Sequence, residues 1–597
     1  MQKSARCLAA VSIFALTPPA VALAQPTTSQ GTTNQGVTSQ DLVDAAASPG
    51  SWLLYGHTYN NWRYSKLDQI NSGNVADLKP VWTVSTGGKF GGLEGTPLFH
   101  DGILYFTADH SRVFAADAAT GKVIWEYTPK YAPHIDAVLC CGPSNRGVAL
   151  KGDLVYVETL DARLVALDAK TGKVVWTTTI DDWKKGLSET GAPLVVGDHV
   201  IVGISGGEYG GRGYLKAYDP KTGALQWTTY TIPGPGEKGH DTWPGDTWKH
   251  GGGPTWVTGS YDPATNTLYW GVGHPAPWVA ADRKGTNLWT DSLLALDPDT
   301  GAIKWGFQYT PNGAWDYDGM GAPILATAPV DGTEQKVAVE ANRNGFLYVI
   351  DRTDGKFLYA VPMIPDINWA SGLDPKTGEP KVNPGMKPAK SGETTGLIVP
   401  GLEGGTNWGP PAYSPTLGYV FTNVNDWGMT LTVLPKSEYP YKPGNVYMGE
   451  DYQMYRTGKY IGHTKAFDLK TGKFVWDLPT TLPLYSGLLA TAGDLVFTGD
   501  EDGNLIAIDA TSGKVLWQFQ TGSGINASPM TYEVDGHQYV AVLSGLGGDP
   551  SFYYSGPRGG MLWVFSVDGV QQPSDAVNST VIPSALPMWE PKGPIQN

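Results

Sequence analysis

The stretch Leu164–Trp176, LVALDAKTGKVVW, decides the fold. Alternating apolar residues flank an Asp/Thr/Gly cluster, the signature of two strands joined by a tight turn. The same sentence recurs: an apolar strand, Asp, three residues, Gly, three residues, an aromatic. It occurs at Asp117-Gly121-Trp125, Asp168-Gly172-Trp176, Asp219-Gly223-Trp227, Asp297-Gly301-Trp305, Asp351-Gly355-Tyr359, Asp468-Gly472-Trp476 and Asp509-Gly513-Trp517. Trp82, in LKPVWTVST, reads as an eighth, degenerate copy. The steps between aromatics are 43, 51, 51, 78, 54, 117 and 41 residues. A four-stranded blade takes about 40 to 50 residues, so eight units predict an all-β, eight-bladed β-propeller. The two long steps place insertions at 228–304 and 360–475, the second read as a lid-like cluster of loops. The last apolar strand, 561–567, is expected to complete a blade begun near the N-terminus and so close the ring.

Composition agrees with this reading. Charged residues are 17% of the chain, against about 25% in an average domain. Gly (77 of 597) and Trp (22) are abundant, as tight turns and aromatic docking require. Lys3 and Arg6 precede the apolar run Leu8–Leu16, which is too short to span a bilayer, and Ala22-Leu23-Ala24 offers a cleavage site. Residues 1–24 are therefore expected to be a signal peptide directing export to the periplasm, with no membrane span after it. Residues 25–50 read as a polar, disordered leader, 51–570 as the propeller and 571–597 as a tail. Loss of Lys3 and Arg6 takes the net charge from −15 to −17. Such an acidic surface disfavours nucleic acid and suits a basic partner protein. Cys7 leaves with the signal peptide, so only Cys140 and Cys141 remain. An oxidising compartment does not favour two adjacent free thiols; a bonded pair and an accidental pair of buried thiols are both open.

The repeat, the Cys-Cys pair in CCGPSNRG, SGGEYGGRG, the PAPW segment and WDYDG together resemble the pyrroloquinoline quinone (PQQ) alcohol dehydrogenases, the methanol/ethanol dehydrogenase family. The resemblance runs from about Trp52 to Val567. It implies oxidation of an alcohol to an aldehyde or ketone by hydride transfer to metal-bound PQQ. It also implies a disulfide ring, Cys140–Cys141, against one face of the quinone, with Trp256 on the other. Arg146 matches an arginine that pairs with a PQQ carboxylate, for which a guanidinium fork is suited. Glu94, Thr159, Arg343, Asn407 and Trp408 carry over as further cofactor contacts, Arg343 near the quinone oxygens. In the Gly-rich loop after the strand 199–204, Ser205 can donate to a carboxylate, Gly206 and Gly207 let backbone amides approach, and Glu208 matches a metal ligand. Asp316 matches the carboxylate that takes the alcohol proton beside the metal. Asp318 stands where lanthanide-dependent members carry Asp and calcium-dependent ones a small neutral residue, so the resemblance favours a lanthanide over Ca2+.

One position departs from the family. Its segment reads GNPAPW, with an Asn oxygen on the metal; here His274 stands in GHPAPW. Imidazole nitrogen suits hard cations poorly. Three placements are open: outside the ligand set with water replacing the amide, weakly coordinating, or acting as a base or hydrogen-bond donor toward substrate; the first is expected. No CxxCH motif is present to carry haem c, so electrons are expected to pass to a separate soluble cytochrome c. No GxGxxG opens a helix after a strand, which argues against nicotinamide chemistry. A non-catalytic propeller scaffold and a family member that has lost its metal are the competing readings. Trp243, Trp248, Trp278, Trp289, Trp369 and Trp427 are expected to wall the entrance. A primary alcohol of a few carbons is the default substrate, a bulkier or secondary cyclic one the runner-up.

Overall fold

In the computed structural model, residues 36–87, 91–548 and 550–570 are described. Eight antiparallel sheets form the blades, at residues 98–127, 149–179, 194–230, 260–308, 324–362, 412–480, 489–520 and 530–566. The last takes its outer strand from the start of the chain: Lys79–Ser85 pairs with Met561–Ser566. The expected ring closure is therefore present, and Trp82 belongs to the closing blade.

The repeated sentence builds the third strand, the turn and the outer strand of seven blades. In LVALDAKTGKVVW, Asp168 Oδ1 accepts from the Thr171 N–H (2.9 Å) and hydroxyl (2.7 Å). The Gly172 N–H donates to the Asp168 carbonyl (2.8 Å). Gly172 has φ +68°, a left-handed conformation that glycine adopts without steric cost. It also receives a neighbour: a Cβ there would lie 2.6 Å from the ring of Trp125. The Trp125 indole N–H then donates to the Ala169 carbonyl (2.9 Å). The same docking joins Trp227 to Gly301 and Pro298, and Trp476 to Gly513 and Ala510. Each aromatic thus locks its blade to the next.

Three expectations need correction. Of the polar leader, residues 36–50 are ordered: Ser39–Val43 is a short helix capped by Thr38, and Val37 bridges Gly152. Residues 36–65 as a whole are held against the inner strands. The Tyr59 hydroxyl donates to the Val195 carbonyl (2.7 Å), and Asn61 and Trp62 to those of Ala322 and Leu325 (2.8 and 2.7 Å). The fully buried Arg63 donates to the Leu488 and Pro529 carbonyls (2.8 and 3.0 Å). Long-range contacts of this kind are invisible to composition. The insertion at 228–304 contains the inner three strands of a blade, Ser260–Asp262, Thr267–Val272 and Ser292–Leu296. The insertion at 360–475 is no mere loop cluster. It supplies the blade strands Ala412–Ser414, Tyr419–Asn425 and Gly462–Asp468, plus the hairpins Ala370–Leu373/Pro380–Val382 and Trp427–Val433/Glu450–Arg456. The signal peptide of residues 1–24, residues 25–35 of the leader and the tail of 571–597 lie outside the described residues.

Candidate active site

Because blades are antiparallel, their connections divide between two ends. Turns joining third to outer strands, which hold the repeat, lie at one end. At the other lie the loops entering each inner strand and those joining second to third strands. There the inner-strand loops bring Glu94, Cys140, Cys141, Arg146, Trp256, Asp316, Asp318 and Trp408, and the second-to-third loops bring Ser205, Gly206, Glu208 and Arg343. All twelve line one chamber of about 350 Å³. Gly206 permits its loop to turn: it has φ +110°, and a Cβ would lie 2.2 Å from the Gly186 carbonyl oxygen.

Cys140 and Cys141 are disulfide-bonded. The Arg146 guanidinium lies 4.4 Å over the Trp256 ring, pairs with Glu94 (2.6 Å) and donates to the Thr190 carbonyl (3.0 Å). Ser144 also donates to Glu94 (2.7 Å). The Trp256 indole donates to Asp318 Oδ2 (3.0 Å). Arg343 lies 3.0 Å from Asp316 Oδ2, donates to the Asp316 carbonyl (2.9 Å) and reaches Asn407 Oδ1 (2.9 Å). Asp316 has φ +58°, a strained conformation that Asp tolerates better than most side chains. Burial pushes its carboxyl pKa well up, against the opposing charges of Arg343 and His274.

His274 is buried at the same end. Its N–H donates to Asp318 Oδ1 (2.5 Å), and its Nε2 lies 3.3 Å from Glu208 Oε1 and 3.5 Å from Asp316 Oδ1. The Trp278 indole N–H donates to its Nδ1 (3.1 Å). Burial opposes a charge on the ring, but Asp316, Glu208 and Asp318 outweigh it and push its pKa up to about 10. Gly273 lets Asp318 approach, since a Cβ there would lie 2.4 Å from Oδ1.

Four of the expected residues stand apart from the chamber surface. Gly207 covers the His274 ring, and His274 lies behind Glu208. Asn407 acts through Arg343. Thr159 ends its strand Leu154–Thr159, with its hydroxyl on Asp161 (2.7 Å). The lining has Thr190 and Ser188 instead, with the Thr190 and Ser205 hydroxyls 2.8 Å apart. Reading the sequence missed both, although SETGAP precedes an inner strand just as LEGTP does. Of the six tryptophans expected at the entrance only Trp278 lines the chamber; Trp369 and Trp427 are core.

The donor set fits both groups that the sequence resemblance implies. Asp316, Asp318 and His274 bring ligand atoms within 4.8 Å of one another, and Glu208 Oε1 reaches the same imidazole (3.3 Å), an oxygen-rich surround of the kind a hard cation takes. Two guanidiniums, hydroxyls and an indole face suit a planar, anionic quinone, and Arg146 Nε has no hydrogen-bond partner among the described residues.

Residues 52–365 and 477–540 match the glucose/ethanol/alcohol dehydrogenase β-propeller domain family, a PQQ family. The quinoprotein alcohol dehydrogenase PedH of Pseudomonas putida is 42% identical over 557 residues, spanning 88% of this chain and 93% of that protein. The lanthanide-dependent methanol dehydrogenase of Methylacidiphilum fumariolicum is 40% identical over 536 residues, spanning 85% and 87%. The solved structure of a europium-containing methanol dehydrogenase superposes with a TM-score of 0.84 at 36% identity, covering 88% of this chain and 100% of that one. Fold, chamber and sequence agree: the chain belongs to the PQQ-dependent quinoprotein alcohol dehydrogenases.

Proposed function

We propose that the protein oxidises a primary alcohol of a few carbons, with a lanthanide ion held by Glu208, Asp316 and Asp318. The observation that carries this reading is the pair Asp316 and Asp318 at one spot in the chamber lining, with Glu208 reaching His274 beside Asp316 (3.3 and 3.5 Å). A trivalent ion favours more anionic oxygens than Ca2+ needs. When bound, PQQ supplies a two-electron acceptor and the ion a Lewis acid.

The chain's own residues do the rest. Asp316 takes the alcohol hydroxyl proton on a carboxylate oxygen. Arg343, 3.0 Å away, holds that carboxylate in place and sets a positive charge beside it. Trp256 fixes Asp318 and presents its ring to the cofactor plane, with Arg146, Thr190 and Ser205 as partners for carboxylates. Val446, Met448, Tyr452 and Tyr553 add apolar and aromatic surface to the chamber lining. Its volume, about 350 Å³, sits at the low end for ligand pockets, about 300–1,000 Å³. Once a planar cofactor is seated, a small alcohol fits the remainder.

Export to the periplasm accounts for the basic residues and apolar run at 3–16, and a soluble, basic cytochrome c suits the net charge of −15. The deciding experiment is dye-linked oxidation of an alcohol panel by metal-stripped protein supplied with PQQ and either La3+ or Ca2+. Activity with La3+ on short primary alcohols is expected. Activity with Ca2+ alone overturns the ion assignment, and a preference for bulky or cyclic secondary alcohols overturns the substrate class.

A further inference from the structure

His274 sits among the three carboxylates without being one of them. It is 2% exposed, and each of its ring nitrogens faces a different neighbour. On one side the Trp278 indole N–H points at Nδ1 (3.1 Å). Indole nitrogen only donates, so Nδ1 must offer a lone pair. On the other side Nε2 faces Glu208 Oε1 (3.3 Å) and Asp316 Oδ1 (3.5 Å), which as carboxylates only accept. With Nδ1 accepting from the indole, the ring hydrogen that faces the carboxylates is the one on Nε2. The Pro275 carbonyl, 3.2 Å from Nδ1, is the competing partner. Were Nδ1 to donate to it, two N–H groups would face each other inside a buried site.

The geometry points to His274 as a positioning residue, not a ligand. Its Nε2–H braces the Glu208 and Asp316 carboxylates together, and Trp278 holds the ring in the tautomer that does this. This rests on the reading that an ion sits among Glu208, Asp316 and Asp318. A nitrogen that bears hydrogen has no in-plane lone pair for a metal, so one coordination position is left to solvent or to an alcohol oxygen. The brace also explains two neighbours. Gly207 carries no Cβ, which would lie 2.8 Å from Nε2, and Trp278 is itself buried.

The test is europium(III) binding to the full chain, followed by the excitation band of the ion and by luminescence decay in H2O and D2O, which counts bound waters. His274→Phe is expected to keep the wild-type band and water count and to weaken binding about 10–100-fold, the usual cost of losing a group that orients a ligand. His274→Asn, which presents an amide oxygen from the same backbone position, is expected to shed one water. Trp278→Phe keeps the imidazole and is expected to weaken binding in the same direction as His274→Phe. A shifted band with an added water in His274→Phe makes the ring a ligand and overturns the inference. So does unchanged affinity in both His274→Phe and Trp278→Phe. Absence of europium emission from the wild-type protein overturns the ion-site reading itself, a different failure from a shifted band in the variant.

Discussion

The two ends of the blades are built from the same strands and obey different rules. At one end the seven turns between third and outer strand within the repeat do one job with nearly the same residues. Asp accepts from Thr (Ser at Ser512), Gly turns left-handed, and the preceding blade's aromatic settles beside that Gly. At the other end each loop does a different job: a disulfide at 140–141, a guanidinium at 146, carboxylates at 208, 316 and 318. Repetition marks the end that holds the ring together, and irregularity marks the end that does chemistry. Stability and activity should therefore separate by end of blade.

The largest effect expected is at the irregular end. Asp316→Asn keeps the shape and removes the proton acceptor, so turnover should fall about 10²–10⁴-fold while the thermal midpoint holds; retained activity in a steady-state assay would remove Asp316 from its role. Asp318→Ala should weaken lanthanide binding by at least about 10–100-fold, the loss seen even for groups that only support a ligand, and should spare any Ca2+-dependent rate. At the repetitive end Gly172→Ala forces a Cβ into a left-handed residue and onto Trp125. Chemical denaturation should show about 1–3 kcal/mol lost, with kcat per folded molecule unchanged; a fall in kcat would break the separation. The smallest effect sharpens it. Thr190→Ala should weaken PQQ binding by about 1 kcal/mol, one hydrogen bond, whereas Thr159→Ala should leave PQQ affinity at the wild-type value.

That contrast also explains what was legible in the sequence. LVALDAKTGKVVW repeats because local turn chemistry dictates it, so the blade count and ring closure follow from spacing alone. Cys140-Cys141, Glu208 and the Asp316/Asp318 pair were readable only through resemblance, since nothing local forces those residues into their loops. Thr159 and Thr190 show the limit. Both lie in short Glu-Thr segments at the same end of their blades; what separates them is packing, since Thr159 turns its hydroxyl to Asp161 while Thr190 lines the chamber. Residues 36–50 failed for a related reason. Their polar composition is that of a disordered segment, but Val37 and Leu42 are buried, and Val37 bridges Gly152, far along the chain. His274 stands out in the sequence as a departure from the family segment, while the contacts that set its surroundings, with Trp278 and two carboxylates, meet across loops.

The closing blade carries one more consequence, for how the molecule is made. Ser85 pairs with Met561, 476 residues later (561 − 85). During synthesis the strand Lys79–Ser85 emerges early and waits with unpaired edges until nearly the whole chain has been made. An open strand edge invites wrong partners, and contacts this distant in sequence form slowly. Closure of the ring therefore has to wait for its last strand, and assistance from a chaperone would matter most in the interval before its ends meet.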